Sequence, residues 1–246
     1  AGRIATGGDT LGVNITKVGT GTWTLSGVSS FTGAVSVQEG ALALTGSLTN
    51  VGDFTVQTGT TLRLTGGTLV TPALQIDSGA TLTGSGTVSS SVTNQGSILV
   101  NTGGTLTIQG DIENDGYLSV TNGSRLVATG AFINNGLLDL LSSPQTTLPA
   151  GFVNNGSVIL SENLSIESYA KNGNDFTLTL RSYSGHNYQL QRTTSLAPAD
   201  WQNVGAPQAG VSVLNPDGSV TGSPLTFTDV GGATANAQFY RISVSP

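Results

Sequence analysis

The sequence predicts an all-β protein: a parallel β-helix, or β-solenoid, with about 20 residues per turn, followed by a small antiparallel β-sandwich. Three observations carry this reading. Asn94, Asn114, Asn134 and Asn154 recur at one phase, each followed two positions later by glycine at 96, 116, 136 and 156. Apolar residues recur on the same clock and alternate with polar ones, which is strand periodicity. After about Glu167 the clock stops, and alternating segments separated by turn residues take over. The expected boundaries are 1–167 for the solenoid and 168–246 for the second domain.

The first residues, "AGRIATGG", lack the apolar run of a signal peptide, so the chain reads as the processed form of an exported protein. Nothing before residue 14 resembles a cap, so the first coil is expected to present strand edges to another subunit. Val35 and Val37, Phe54 and Val56, and Leu74 and Ile76 are placed at the phase of Ile98 and Val100, with looser spacing. Inserts such as "GSGTVSSS" are expected to bulge from a corner.

From residue 94 the columns are regular. Ile98, Leu118, Leu138 and Val158 form one, and Val100, Val120, Leu140 and Leu160 a second. Ile112, Phe132 and Phe152 form a third, and Ile108, Ala128 and Leu148 a fourth; Leu106 and Leu126 begin a fifth that breaks at Thr146. Each N-x-G is read as a corner at which glycine supplies φ > 0 and Asn tolerates the left-handed region. Stacked at the strand spacing of about 4.8 Å, the four Asn side chains can also bond amide to carbonyl along the column. About seven turns fit between residues 14 and 165, each unable to bury its apolar face without a neighbour.

Downstream, "FTLTLRSYSGHNYQLQRTTSL", "PLTFTDV" and "QFYRISV" alternate as strands, and N-P-D-G at 215–218 suits a hairpin turn. Aromatic residues concentrate here, at Tyr183, Tyr188, Trp201, Phe227, Phe239 and Tyr240. This domain is expected to cover the last solenoid coil.

Composition narrows the function. The net charge is -6 with no Lys/Arg cluster, which argues against nucleic acid as a partner. Cysteine is absent, which removes disulfides and thiolate metal sites. Apolar runs are too short for a membrane span, and no cofactor motif is present.

Residues 14–44 resemble the autotransporter-associated β-strand repeat. Ile15, Thr16, Lys17, Gly19, Gly21, Thr22, Leu25, Ser26 and Gly27 match its opening, and Phe31, Thr32, Gly33, Gly40, Leu42 and Leu44 its close. The resemblance implies a right-handed parallel β-helix in a secreted or surface-displayed bacterial protein. No membrane-barrel pattern follows it. The pattern Y-x-L-Q-R-T-T-S-L at 188–196, then Trp201 and the closing F-Y-R-I, is similar to C-terminal modules of exported Verrucomicrobia-type proteins.

Catalysis is tested against residue supply. Beyond Lys17 the solenoid offers only Arg63 and Arg125 as bases, and the sole histidine, His186, lies in the second domain. Asp111, Glu113 and Asp115 form the densest acidic run, a weak calcium candidate, because the same columns in neighbouring coils hold no carboxylate. The chain is therefore read as a non-enzyme. Ile133, Val153, Leu137 and Ile159 sit at outward phases and could line a subunit interface or a seat for the second domain. Trp201, Tyr183 and Tyr188 are candidate ligand aromatics if exposed, core residues otherwise. The expected function is an extracellular structural protein that self-assembles through its solenoid ends into a fibre or filament. The alternatives are an adhesin-like stalk binding glycan or a surface and, more remotely, a polysaccharide lyase or hydrolase.

Overall fold

A computed structural model describes residues 12–49, 52–143, 146–215, 219–234 and 238–245. The chain divides into two compact units, Ala1–Ile159 and Leu160–Pro246. Unit 1 is a parallel β-solenoid of about 7 turns with about 20 residues per turn.

Each coil contributes a short strand to as many as three parallel ladders. The first ladder runs through Ile15–Lys17, Val35–Val37, Phe54–Val56, the end of Thr61–Ile76, the end of Thr81–Asn94, Ile112–Asn114, Phe132–Asn134 and Phe152–Asn154. The second runs from Thr22–Leu25 through Ala41–Leu44 and onward to Tyr117–Val120, Leu137–Asp139 and Ser157–Ile159. The third runs from Val28–Ser30 to Arg125–Ala128.

Side chains at alternate positions stack inward. Phe54, Leu74, Val92, Ile112 and Phe132 in the first ladder, and Leu42, Leu62, Leu82, Ile98, Leu118 and Leu138 in the second, are buried to within 2%. At about 25 cal/mol per Å² of apolar area, each contributes roughly 2 kcal/mol, several per coil. Phe132 meets Phe152 edge to face at 5.1 Å, so the aromatic column continues into the last coil.

Two expectations about the early coils are corrected. Leu74 pairs with Val92 and Ile76 with Asn94, whereas Ile98 pairs with Leu82. The residues at 35, 54 and 74 thus belong to the column of Ile112, and those at 37, 56 and 76 lie in the asparagine column. The stretch "GSGTVSSS" does not bulge from a corner but lies within the strand Thr81–Asn94, where Gly86 to Val88 pair with Leu106 to Ile108. The slack is taken up in the preceding coil by register shifts between Thr65 and Thr68 and between Val70 and Ala73. The fourth column holds for Ile108 and Ala128; Leu148 lies outside any strand.

Unit 2 consists of two antiparallel sheets. One orders Ile166–Asn172, Asp175–Ser182, Val220–Asp229 and Ser212–Leu214. In the other, Asn187–Thr193 pairs with Phe239–Ser245 and with the two short strands Gln202–Asn203 and Gln208–Ala209. Leu178, Leu180 and Phe227 from the first sheet and Tyr188 and Leu190 from the second are each at most 3% exposed. Phe176 of the first sheet stacks on Tyr240 of the second at 4.1 Å, and buried Asp229 accepts from both Arg192 and the Tyr240 hydroxyl. The hairpin strands flanking 215–218 pair as expected, although Pro216, Asp217 and Gly218 themselves lie outside the described residues, as does the segment "AGRIATGG".

Candidate functional surfaces

The N-x-G corner is built differently from the sequence expectation. None of Gly96, Gly116, Gly136 and Gly156 has positive φ, and the Asn residues are in strands. Glycine is needed there because coils nearly touch: a Cβ on Gly116 would lie 2.2 Å from Gly96 O, and one on Gly136 2.1 Å from Gly116 O. Both corner N–H groups fork onto the Asn carbonyl one coil back, as Asp115 N and Gly116 N do onto Asn94 O at 2.8 and 2.9 Å. The side chains point inward and form a ladder. Asn94 Nδ2 donates to Asn114 Oδ1 at 2.6 Å, Asn114 to Asn134 at 2.7 Å, and Asn134 to Asn154 at 2.7 Å.

The same amides also donate to the carbonyls of Tyr117, Leu137 and Ser157, just past the corner of the following coil. These second bonds set the amide orientation, because a flipped amide would aim oxygen at oxygen. Each interior Oδ1 accepts from the previous rung, and Asn94 Oδ1, whose neighbour in the column is Ile76, is buried without a donor among the described residues.

Corner length and column residue go together. After Val56 and Ile76, four residues make the corner, and it closes on itself through Thr60 N to Gln57 O and Ala80 N to Asp77 O, with Gly59 and Gly79 at positive φ. After Asn94, Asn114, Asn134 and Asn154 only two residues intervene before the next strand. The shorter corner has no turn bond of its own, and the asparagine amide supplies the missing donor.

The first coil fills this column with Lys17, which is fully buried. Its three ammonium protons meet three carbonyls: Val18 O at 3.1 Å, Gly19 O at 2.5 Å and Glu39 O at 2.8 Å. The indole of Trp23 lies 5.5 Å from Nζ. Gly19 N–H donates to the Glu39 carboxylate at 2.6 Å.

The predicted interface residues separate. Ile133 and Val153 are paired in register and both exposed, at 37% and 47%. Leu137 is half-buried and Ile159 is buried, so these two add nothing to an exposed patch. Ile159 stacks in register with buried Asp139, which accepts from the Tyr117 hydroxyl and from Leu141 N, so this outward column is covered. Burial and the neighbouring Asp139 carboxylate push the Tyr117 phenol up to about 12.

Asp111, Glu113 and Asp115 face outward and do not converge. Asp111 Oδ1 accepts from Ala131 N at 2.8 Å, and Asp115 Oδ1 from Asn135 Nδ2 at 2.8 Å, so both tie their coil to the next. A shallow open depression of about 260 Å³ lies beside Asp111, Glu113 and Ile133. Among the described residues, no three His, Cys, Asp or Glu side chains are placed to hold one metal ion. Arg63 borders an open polar depression with Thr65, Thr83, Ser85 and Asn101, and Arg125 is exposed on the third ladder. His186 is buried, and its main-chain carbonyl accepts from Gly210 N.

Of the ligand aromatics, Tyr183 and Tyr188 are core residues, 7% and 0% exposed; the Tyr188 hydroxyl accepts from Tyr183 N at 2.9 Å. Trp201 is half-buried under the Arg241 guanidinium at 4.4 Å. The exposed aromatic surface lies elsewhere, at Tyr169, 75% exposed and stacked on Phe176, and at Trp23 and Phe239. Tyr169 sits on an edge strand whose seven residues are all exposed, a position that alternation alone does not distinguish from core.

The fold and these surfaces define a β-solenoid closed by local polar bonds at its corners. Residues 15–44 match the family model of the passenger-associated transport repeat, the segment that holds Lys17 and Glu39. No curated protein and no solved structure matches the chain. The repeat and the solenoid together fit an exported, extracellular passenger-like protein. No helix among the described residues is long and apolar enough to cross a membrane.

Proposed function

We propose that the protein is a non-catalytic extracellular structural element whose solenoid unit serves as a stiff stalk. The supporting observation is the unbroken parallel pairing of the first ladder over eight levels, with an apolar column from Ile15 to Phe152, and polar side chains committed to coil-to-coil bonds. Asp111, Asp115, Asn135 and the asparagine ladder all serve cohesion between coils. As a test, purified protein is incubated with pectin, alginate and other acidic and neutral polysaccharides while reducing ends and unsaturated products are followed. The reading predicts no turnover of any of them. Release of oligosaccharide would overturn it.

A filament subunit is the second reading, favoured by the exposed last strand of the first ladder, Phe152–Asn154, with Val153 and Asn154 open to solvent. Negative-stain images over a wide concentration range separate the two: single particles support the stalk, and fibres lengthening with concentration support the filament.

A further inference from the structure

Asparagine followed directly by glycine occurs four times, at 122–123, 135–136, 155–156 and 172–173. This dipeptide is the one most prone to lose its side-chain amide, because no Cβ on the glycine hinders attack of its nitrogen on the asparagine Cγ. All four asparagines are exposed, so access to water does not distinguish them. The hydrogen bonding of the glycine N–H does.

At the two corner sites both reacting groups are held. Gly136 N donates to Asn114 O at 2.8 Å and Gly156 N to Asn134 O at 3.0 Å, each alongside the N–H of the asparagine before it. The side chains are tied as well: Asn135 Nδ2 donates to Asp115 Oδ1 at 2.8 Å, and Asn155 Nδ2 to Asn135 Oδ1 at 2.9 Å. Both glycines lie hard against the preceding coil, where a Cβ would come within 2.1 and 2.2 Å of a carbonyl oxygen. Bringing the nitrogen onto Cγ requires the peptide plane to turn, and here that means opening the corner away from its neighbour.

The other two sites are free of these restraints. Asn122 and Gly123, at φ 55 and 68, form the tip of a turn closed by Ser124 N to Thr121 O at 2.9 Å, and Gly123 N has no acceptor among the described residues. The Asn122 amide makes one exposed bond, to Asn101 O at 3.1 Å. Gly173, at φ 62, lies in the turn between Ile166–Asn172 and Asp175–Ser182; neither its N–H nor the Asn172 side chain is bonded among the described residues. Around both glycines the space is open, with nothing within 4 Å of where a Cβ would stand.

We infer that Asn122 and Asn172 are sites of spontaneous deamidation, and that the N-x-G corner protects Asn135 and Asn155 from the same reaction. The glycine nitrogen bonds to Cγ as its proton leaves, the Cγ–Nδ2 bond breaks with loss of ammonia, and water opens the cyclic imide at either carbonyl to give aspartate or isoaspartate. No oxidant or reductant takes part. Each event adds a negative charge to a chain already at -6. At Asn135 it would set a carboxylate against Asp115 and delete that bond between coils, so the held amide preserves the stack.

The test incubates the full chain in mildly alkaline heavy-oxygen water, folded and in concentrated urea, and follows each site by peptide mass spectrometry. In the folded protein Asn122 and Asn172 should convert at least about tenfold faster than Asn135 and Asn155, and in urea the gap should close. Asn122→Gln and Asn172→Gln should each remove one acidic species from isoelectric focusing. Equal rates at corner and turn sites in the folded protein would overturn the inference. A gap that persists in urea would do the same, since local sequence rather than the fold would then set it. Asn122 or Asn172 staying intact when folded while reacting in urea would overturn it for that site.

Discussion

Replacing Asn114 by valine probes the ladder where it is deepest. Three bonds disappear: from Asn94 Nδ2 at 2.6 Å, to Asn134 Oδ1 at 2.7 Å and to Leu137 O at 3.3 Å. Asn134 Oδ1 loses its donor, and Asn94 Nδ2 keeps only Tyr117 O at 3.1 Å. A buried polar group left unmatched costs about 1–3 kcal/mol, so two of them cost about 2–6 kcal/mol. The added apolar burial of valine returns about 1–2 kcal/mol. The net loss is about 1–4 kcal/mol, concentrated in the coils on either side. Asn154→Val makes the same chemical change at the exposed end of the column, where solvent replaces the lost bonds, and should cost less than about 1 kcal/mol. Urea titration with hydrogen exchange read at the amides of 112–120 and 132–138 resolves the effect coil by coil, which a single melting curve of a two-unit repeat protein does not. If Asn114→Val proves as stable as wild type, or if both variants cost the same, the ladder is not a net contributor and the reasoning fails.

Other outcomes follow from the same contacts. Gly136→Ala, whose Cβ would lie 2.1 Å from Gly116 O, should destabilise unit 1 by more than about 2 kcal/mol. Gly123→Ala, at φ +68 with open space around it, should cost only about 1 kcal/mol; chemical denaturation ranks the two. Tyr117 and Tyr240 are both pushed up to about 12, Tyr117 by burial and Asp139, Tyr240 by burial and its bond to Asp229. An unfolded phenol ionises near 10, so the stability these two contribute is complete below about pH 10 and is lost as pH rises toward about 12. Ultraviolet titration of Tyr117→Phe and Tyr240→Phe should each remove one late-ionising phenol, and loss of an early one instead would contradict the assignment. Tyr188→Phe should lower the stability of unit 2 by about 1–2 kcal/mol, because Tyr183 N loses a buried acceptor. A melt unchanged from wild type would show that hydroxyl to be idle.

The period and the pairing of like residues were legible because stacking repeats a side chain at each level; Asn94, Asn114, Asn134 and Phe132 are where the spacing puts them. Upstream the sequence hides the phase, because Val56 and Ile76 are aliphatic like Val100, and only the strand pairing shows that they share a column with asparagine. Glycine at 96, 116, 136 and 156 is obligatory for close approach and not for positive φ: sequence reveals that a Cβ is unwelcome, but the two causes leave the same residue behind. Lys17 reads as an exposed polar residue by type, and its burial follows from three carbonyls that converge only once the corner is folded. In unit 2 alternation located the strands and could not say which faces were covered, so Tyr183 and Tyr188 were candidates for a surface that Tyr169 in fact occupies.

The link between corner length and column residue bears on how such a chain can grow. A duplicated stretch of twenty residues taken from within 94–154 brings its short corner and its amide together, and the hydrogen-bonded file simply gains a rung. A duplication spanning Ile76 and Asn94 would instead bury a second oxygen like that of Asn94, with no donor above it. Insertions are therefore cheap in whole units on one side of that boundary and penalised across it, so the protein has one stretch suited to lengthening.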